Sequence, residues 1–590
     1  MADREILEVD VLIVGAGPAG LACAIHLGEQ ARRRGLPKLN VLVIEKGACL
    51  GAHILSGAVL DARVLDELVQ NWRQKGAPVR QPVSSEELLF LSEAKSRRIP
   101  HSLVPQYLDN RGNYVISLCE LVRWLAEQAK ERGAEILEGV AGSEVLLRGN
   151  TVTGVRCSAS GLGKDGQPKP NFQPGVEVRA KVTVLAEGSH GNLAKQLVAV
   201  QSLDINRQPQ TYSLALKELW ELPAGTFRAG RIVHTLGFPL QKLLERRAAH
   251  CFGGGFLYGL DDTHLAVGLV VGLDYTDPSF DPHAAFNRWK GHPFVRTLLE
   301  KGELIQHGAK SVAEGGYYSM PRFYTDGCCL VGDCAGFVNE ARGKGIHLAM
   351  KSGMLAAEAI AAALDTAGAN SRRGKRTEEG EESGDGGASF LTSHSSLGLY
   401  EDLFQISWAR SELYAVRNWR AGFARGLIRG AVHDLGQRLS GGRGFRDPLP
   451  LDPPQQTLTP HHQGPGQPTA TAAPPPAPSR GGEGVGGGLT LDKATAVFHS
   501  GTQHQEDQPC HLKVLDLQIC VWLCAVEYGQ PCQHFCPAGV YEWEQQKTGP
   551  ALRINAANCL HCKACDVKDP YENILWTVPE GGSGPRYQRM

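Results

Sequence analysis

The sequence predicts an α/β protein carrying a small cysteine-rich domain at its C-terminal end. Three features predict it: an opening strand, glycine-rich turn and helix; strand and helix signals alternating through residue 365; and a crowd of cysteines beyond residue 509. At 590 residues the chain exceeds one hydrophobic core, so several domains are expected.

Residues 11–14 are a short apolar β run, and Gly15-Ala16-Gly17-Pro18-Ala19-Gly20 leads from it into a helical pattern over 21–34. In such a turn Gly15 permits the sharp bend, Gly17 lets the backbone approach a pyrophosphate, and Gly20 allows close helix packing. The helix N-terminus attracts the phosphate charge. A second strand over 41–44 ends in Glu45, whose carboxylate is placed to accept from a ribose hydroxyl. Together these predict a Rossmann-like dinucleotide site. A later strand over 181–186 ends in Ala186-Glu187-Gly188, and Cys329-Leu330-Val331 runs into Gly332-Asp333, with Gly336, Gly343 and Gly345 preceding a helix over 346–363. That arrangement resembles the FAD-dependent oxidoreductases of the glutathione-reductase type, in which the late Gly-Asp holds the ribityl chain. FAD is therefore the expected dinucleotide, with Gly15, Gly17, Gly20, Glu45, Gly188, Gly332, Asp333 and Gly345 as its contacts.

Two stretches read as disordered on composition: 366–397, rich in Gly, Ser, Glu and Arg, and 441–489, dominated by Pro and Gly. They separate an α/β part over 1–365, a helical segment over 398–440 and a cysteine-rich domain over 490–590. The balance of 61 basic and 62 acidic residues argues against a nucleic-acid partner, which needs a concentrated basic face. Half of the 16 cysteines lie beyond residue 509, which fits metal ligation in a reducing compartment better than a disulfide framework. No apolar run reaches the length of a spanning helix, and the acidic first ten residues do not read as a transit peptide.

Cys559, Cys562 and Cys565 form a C-x-x-C-x-x-C triplet. Three thiolates this close suit an iron-sulfur cube, which one tight loop can hold at three corners. Zinc, the alternative, usually takes two separated ligand pairs and would need His534, His561 or a distant cysteine to finish its site. The fourth cluster ligand is open among Cys510, Cys520, Cys524, Cys532 and Cys536. Cys536 is preferred because Cys536-Pro537 mimics the ferredoxin pattern, where proline shields the cluster from water.

Several strings narrow the field. Gly51-Ala52-His53, Leu55-Ser56-Gly57, the run from Phe535 to Tyr541, Lys568-Asp569-Pro570 and Val578-Pro579-Glu580-Gly581-Gly582 all resemble the electron-transfer flavoprotein:ubiquinone oxidoreductases. The resemblance covers roughly four fifths of the chain, outside the two low-complexity stretches. It implies FAD and a 4Fe-4S cluster held by Cys536, Cys559, Cys562 and Cys565, a quinone-binding β-sheet region interleaved with the FAD domain, and a ferredoxin-like C-terminal domain. It implies ubiquinone contact at Gly253 and Gly254, within Phe252-Gly253-Gly254-Gly255-Phe256-Leu257-Tyr258, with Phe256, Leu257 and Tyr258 as apolar wall. The partners it implies are electron-transfer flavoprotein, ubiquinone and a membrane surface, met peripherally. The setting it implies is the matrix face of the mitochondrial inner membrane, ahead of the bacterial plasma membrane. No acid-base residue is assigned.

For membrane contact the sequence offers an amphipathic helix through Leu60, Val64, Leu65, Leu68, Val69 and Trp72, and a stretch over 421–439 interrupted by Arg425, Arg429, His433 and Arg438. Two other functions fit parts of the pattern: a ferredoxin-linked flavin reductase of the geranylgeranyl-reductase type, and a non-enzymatic, zinc-stabilised interaction protein.

Overall fold

The computed structural model describes residues 4–241, 251–377, 397–424, 426–461, 489–546 and 549–590. Strand Ile6–Val14 lies at the centre of an 8-stranded sheet, parallel to Val41–Glu45 on one side and Glu177–Leu185 on the other. The parallel order continues outward to Ala134–Glu138 and Cys328–Leu330. A central parallel strand is covered on both faces, so Val11, Leu12 and Ile13 form an unbroken buried apolar run. Helix Pro18–Arg34 starts with proline at its first turn, ends with Arg32, Arg33 and Arg34, and stops at Gly35 in a left-handed turn. It packs on the long helix Ile346–Thr377. A Cβ on Gly353 would sit 2.2 Å from Ala19 O, so glycine permits this close crossing.

A second, 7-stranded sheet places Gly253–Gly259 between Arg231–Gly237 and His264–Gly272, with Tyr212–Glu221 and Glu303–Ala313 beyond. Helix Pro282–Lys290 covers this sheet with Phe286 and Trp289, and its Lys290 Nζ meets Glu218 Oε1 at 2.7 Å with both side chains fully buried. The C-terminal domain leans on both sheets. Lys563 Nζ donates to Ser189 O and His190 O, Lys568 Nζ donates to Tyr275 O at 2.8 Å, and Glu580 Oε1 accepts from Gly161 N–H. The final residues are buried too, with Tyr587 and Met590 packed against the second sheet.

Three expectations need correction. Leu60 belongs to strand Val59–Leu60, the helix is only Arg63–Leu68, and Val64, Leu65, Leu68, Val69 and Trp72 are all buried, so this apolar face serves the protein's own core. Residues 366–377 continue the long helix, and Leu397 is buried. Residues 441–461 form an ordered strap because polar groups elsewhere receive it. Arg417 pairs with Asp447 at 2.8 Å, Asn418 Oδ1 accepts from Leu449 N–H, Gln208 Oε1 accepts from Leu451 N–H, and Leu458 is buried. The remainder of both stretches, 378–396 and 462–488, lies outside the described residues.

Candidate redox site

One cavity of about 570 Å³ runs from the glycine-rich turn to the second sheet. Gly15, Gly17, Glu45, Gly188, Gly332, Asp333, Gly345, Gly253 and Gly254 all line it. Gly20 lies beneath the lining, where an added Cβ would come within 2.1 Å of Gly15 O. Gly15 itself has φ +109°, and a Cβ there would collide with Ala186 O at 2.4 Å. Gly17 and Gly188 instead face open space, the nearest atom to a Cβ on Gly17 being Ile54 Cδ1 at 3.9 Å. The turn therefore leaves a cradle of bare backbone.

Glu45 closes the turn, its Oε2 accepting from Ala16 N–H at 3.0 Å and its Oε1 from Gly47 N–H at 2.8 Å. Gly332 N–H donates to Ser352 Oγ at 2.8 Å, which fixes the start of the long helix beside Asp333. Burial raises the Asp333 carboxyl to about 6, with Lys310 opposing the rise. Three lysines were not singled out from sequence. Lys46, Lys310 and Lys563 reach the cavity, and burial lowers the proton affinity of each, that of Lys46 to about 8. Buried cations of this kind suit an anionic dinucleotide. Buried His53 lies on the same wall.

At the far end, Gly253 pairs with Val271 at φ +139°, where a Cβ would strike Val270 O at 2.0 Å. A Cβ on Gly254 would lie 2.5 Å from Thr235 O. Phe256 and Tyr258 stack at 4.7 Å and line the cavity, and His234 Nε2 meets Tyr258 Oη at 2.7 Å. Burial lowers His234 to about 3, so it is neutral. Leu257 corrects the expected wall. Alternation along the strand turns it to the opposite face, where it is buried in the core shared with the C-terminal domain.

A second, small cavity is lined by Cys536, Cys559, Cys562 and Cys565 together with Leu512, Ala538, Val540, Tyr541 and Leu560. Cys510, Cys520, Cys524 and Cys532 are outside this lining. Four cysteines around one small cavity fit a cube of iron and sulfide. Burial raises the affinity of all four thiols for their protons, a cost that a bound metal centre offsets. The loop holds an unusual path, with His561 at φ +55° and Lys563 at φ +64°, and His561 N–H donates to Cys559 Sγ at 3.4 Å. Lys563 lines both cavities, so they adjoin at this residue. Beside it, Trp576 is covered by Lys46 and Lys563 at 4.7 and 5.0 Å from its ring centre.

The family model for electron transfer flavoprotein-ubiquinone oxidoreductase, 4Fe-4S, matches residues 487–588, and that for ETF-QO, ubiquinone-binding, matches residues 212–312. An NAD(P)-binding Rossmann-like model matches 13–81. A probable electron transfer flavoprotein-ubiquinone oxidoreductase of Acinetobacter baylyi is 41% identical over all of this chain and 99% of its own length. The chain belongs to the electron transfer flavoprotein-ubiquinone oxidoreductase family. The mitochondrial members of Oryza sativa and Homo sapiens are 41% and 40% identical across the whole chain, covering 94% and 90% of their own lengths. FAD and a 4Fe-4S cluster are the cofactors that this oxidoreductase family's domains and the two cavities fit. A geranylgeranyl bacteriochlorophyll reductase-like structure from Thermoplasma acidophilum covers 70% of this chain and 91% of its own, at 20% identity and TM-score 0.47, too distant a likeness to argue for a shared activity.

Proposed function

We propose that this chain accepts electrons from reduced electron-transfer flavoprotein and passes them through the 4Fe-4S cluster and FAD to ubiquinone, giving ubiquinol. The observation that carries this reading is the shared wall: a cysteine cavity, a dinucleotide cradle and a glycine-edged apolar pocket adjoin without an intervening domain. When bound, the cofactors supply one-electron and paired-electron exchange. The chain's part is to position and insulate. Cys536, Cys559, Cys562 and Cys565 would hold the cluster; Gly15, Gly17, Glu45, Gly188, Gly332, Asp333 and Gly345 would hold FAD, with Gly20 setting the turn. Gly253 and Gly254 would offer backbone to the quinone head, with Phe256 and Tyr258 excluding water.

Gly15→Ala tests the cradle. Positive φ and the collision with Ala186 O are expected to weaken FAD retention at least about tenfold and to cost roughly 2 kcal/mol of stability. Flavin fluorescence released on gel filtration and a thermal melt measure both; wild-type retention would contradict the assignment.

Membrane contact is the second part of the proposal. Ile428, Val432, Leu435 and Leu439 are exposed along one face of helix Leu427–Leu439, while His433, Asp434 and Gln437 are buried on the other. Leu103 and Phe445 extend the exposed apolar surface, and Arg429, Arg438 and Arg443 are exposed around it. The cavity's lining reaches this helix at Leu427, Ala431 and Arg438, so a lipid-soluble quinone would enter from the bilayer side. No helix among the described residues is long and apolar enough to cross a membrane, and an interfacial helix needs none. In this reading the protein lies on the matrix face of the mitochondrial inner membrane. Replacing Val432 and Leu435 together by glutamate is expected to reduce co-sedimentation with anionic vesicles about tenfold or more. Unchanged sedimentation would remove this helix as the docking element.

Purified holoprotein supplied with reduced electron-transfer flavoprotein and a ubiquinone should form ubiquinol. Reduction of an isoprenoid alkene in place of quinone would overturn the proposed activity.

A further inference from the structure

Quinone reduction consumes protons as well as electrons, so a site with apolar side chains around Gly253 calls for proton donors close by. Two carboxyl groups line the same cavity. Glu314 follows strand Glu303–Ala313 and Glu340 lies in the loop before the long helix; both are buried and both face the cavity that Phe252, Gly253 and Gly254 line. Arg420 ties them to the glycine strand. Its guanidinium stands 4.1 Å from the Phe252 ring centre, its Nε lies 3.0 Å from Glu340 Oε1 and its Nη2 lies 2.5 Å from Asp274 Oδ2. Glu340 Oε1 therefore faces the Arg420 guanidinium in a buried setting, and the Glu340 side chain is hydrogen-bonded to Glu314. On the other side Ser213 Oγ donates to Glu314 Oε2.

We propose that Glu314 and Glu340 are the proton-donating pair for the quinone held at Gly253 and Gly254. This rests on ubiquinone being the acceptor. In each transfer a carboxyl O–H bond breaks and an O–H bond to a quinone oxygen forms. The electrons come from reduced electron-transfer flavoprotein, one proton joins each quinone oxygen, and the pair is refilled from water between transfers. The geometry also explains why a proton is kept for use. Two buried carboxylates side by side cannot both ionise readily, and the groups facing them are Arg420 and Asp274, with Lys568 and Cys251 beyond Asp274. Burial raises the Glu314 carboxyl to about 7, and Glu340 is raised by burial and by Glu314.

The test compares wild type, Glu314→Gln, Glu340→Gln and the double variant. Two rates are followed from about pH 6 to 9: steady-state reduction of a short-chain ubiquinone, and single-turnover reduction of the bound flavin by its protein donor. The double variant should lose about a hundredfold or more in quinone kcat, with KM little changed, while flavin reduction by the donor stays at the wild-type rate. An acid that donates must be protonated, so the wild-type quinone rate should fall as pH rises through the pair's range. Glu314→Gln removes the charge that raises Glu340, so the descending limb of that variant should be displaced from its wild-type position. Wild-type quinone rates and pH profiles in the variants would overturn the pair. Should a variant lose its flavin, the wild-type profile decides: a descending limb near 7 supports the pair, and a flat profile overturns it. A wild type that is reduced by the donor but never reduces quinone would overturn the proposed function instead.

Discussion

Replacing Cys536 by serine is expected to abolish the electron paramagnetic resonance signal of the dithionite-reduced cluster, while Cys520→Ser and Cys532→Ser leave it in place. The reason is positional. Cys536 shares the small cavity with Cys559, Cys562 and Cys565, whereas Cys520 is engaged by Asn573 Nδ2 at 3.2 Å and Cys532 lies in the short helix Cys532–Phe535 before the ligand loop. The effect extends beyond spectroscopy. These sulfurs sit in the core formed with Phe535, Val540, Tyr541 and Trp576, so an empty site leaves buried thiols around a void. Structural metal centres couple to folding with free energies on the order of 10 kcal/mol, so the variant should also melt well below wild type. The docking contacts of the C-terminal domain, including Lys195 to Asp566 and Lys563 to Ser189, would loosen with it. A cluster signal retained in Cys536→Ser would return the fourth corner to one of the neighbouring cysteines.

Lys290→Met is expected to destabilise the protein by about 3–5 kcal/mol, because it strands the buried Glu218 carboxylate. Burial alone would raise Glu218, but Lys290 and His307 outweigh it and hold the carboxyl at about 2. The pair's stabilising contribution is therefore fully present above the ordinary carboxylate range and is lost only as pH falls through about 2. In Lys290→Met burial acts with less opposition, so Glu218 should bind its proton at higher pH and the variant's deficit should shrink towards acid. Replacing both partners by apolar residues of similar size should recover much of the loss. Urea melts at two pH values measure this; a deficit below 1 kcal/mol, or one that grows towards acid, would contradict it.

Much of the dinucleotide site was legible because its chemistry is local. The Gly15-to-Gly20 spacing, Glu45 at a strand end and Gly332-Asp333 ahead of a helix each express a backbone requirement within a few residues, and the structure brings all but the packing residue Gly20 to one cavity. The cysteine triplet is local in the same way, and the structure places all three of its members on one small cavity. Cys536 reaches that cavity from across a hairpin, and spacing alone left several neighbours open as the fourth corner. What stayed hidden depends on distant residues. Lys310, Lys563, Glu314, Glu340 and Arg420 carry no periodic or motif signal, and they acquire meaning only where both sheets and the helical segment meet. The strap over 441–461 misleads by composition, since its order comes from Arg417, Asn418 and Gln208 outside it. The apolar face through Val64, Leu65 and Leu68 misleads in the opposite sense. Periodicity shows that a helix face is apolar, not whether core or lipid covers it.

The most direct test of the central claim is one anaerobic sample of the holoprotein, reduced with electron-transfer flavoprotein and then mixed with ubiquinone. The relay predicts that the cluster's resonance signal grows on reduction, disappears when quinone is added, and leaves one ubiquinol for each pair of electrons removed. A signal that persists after quinone addition, with both cofactors bound and no ubiquinol formed, would contradict it.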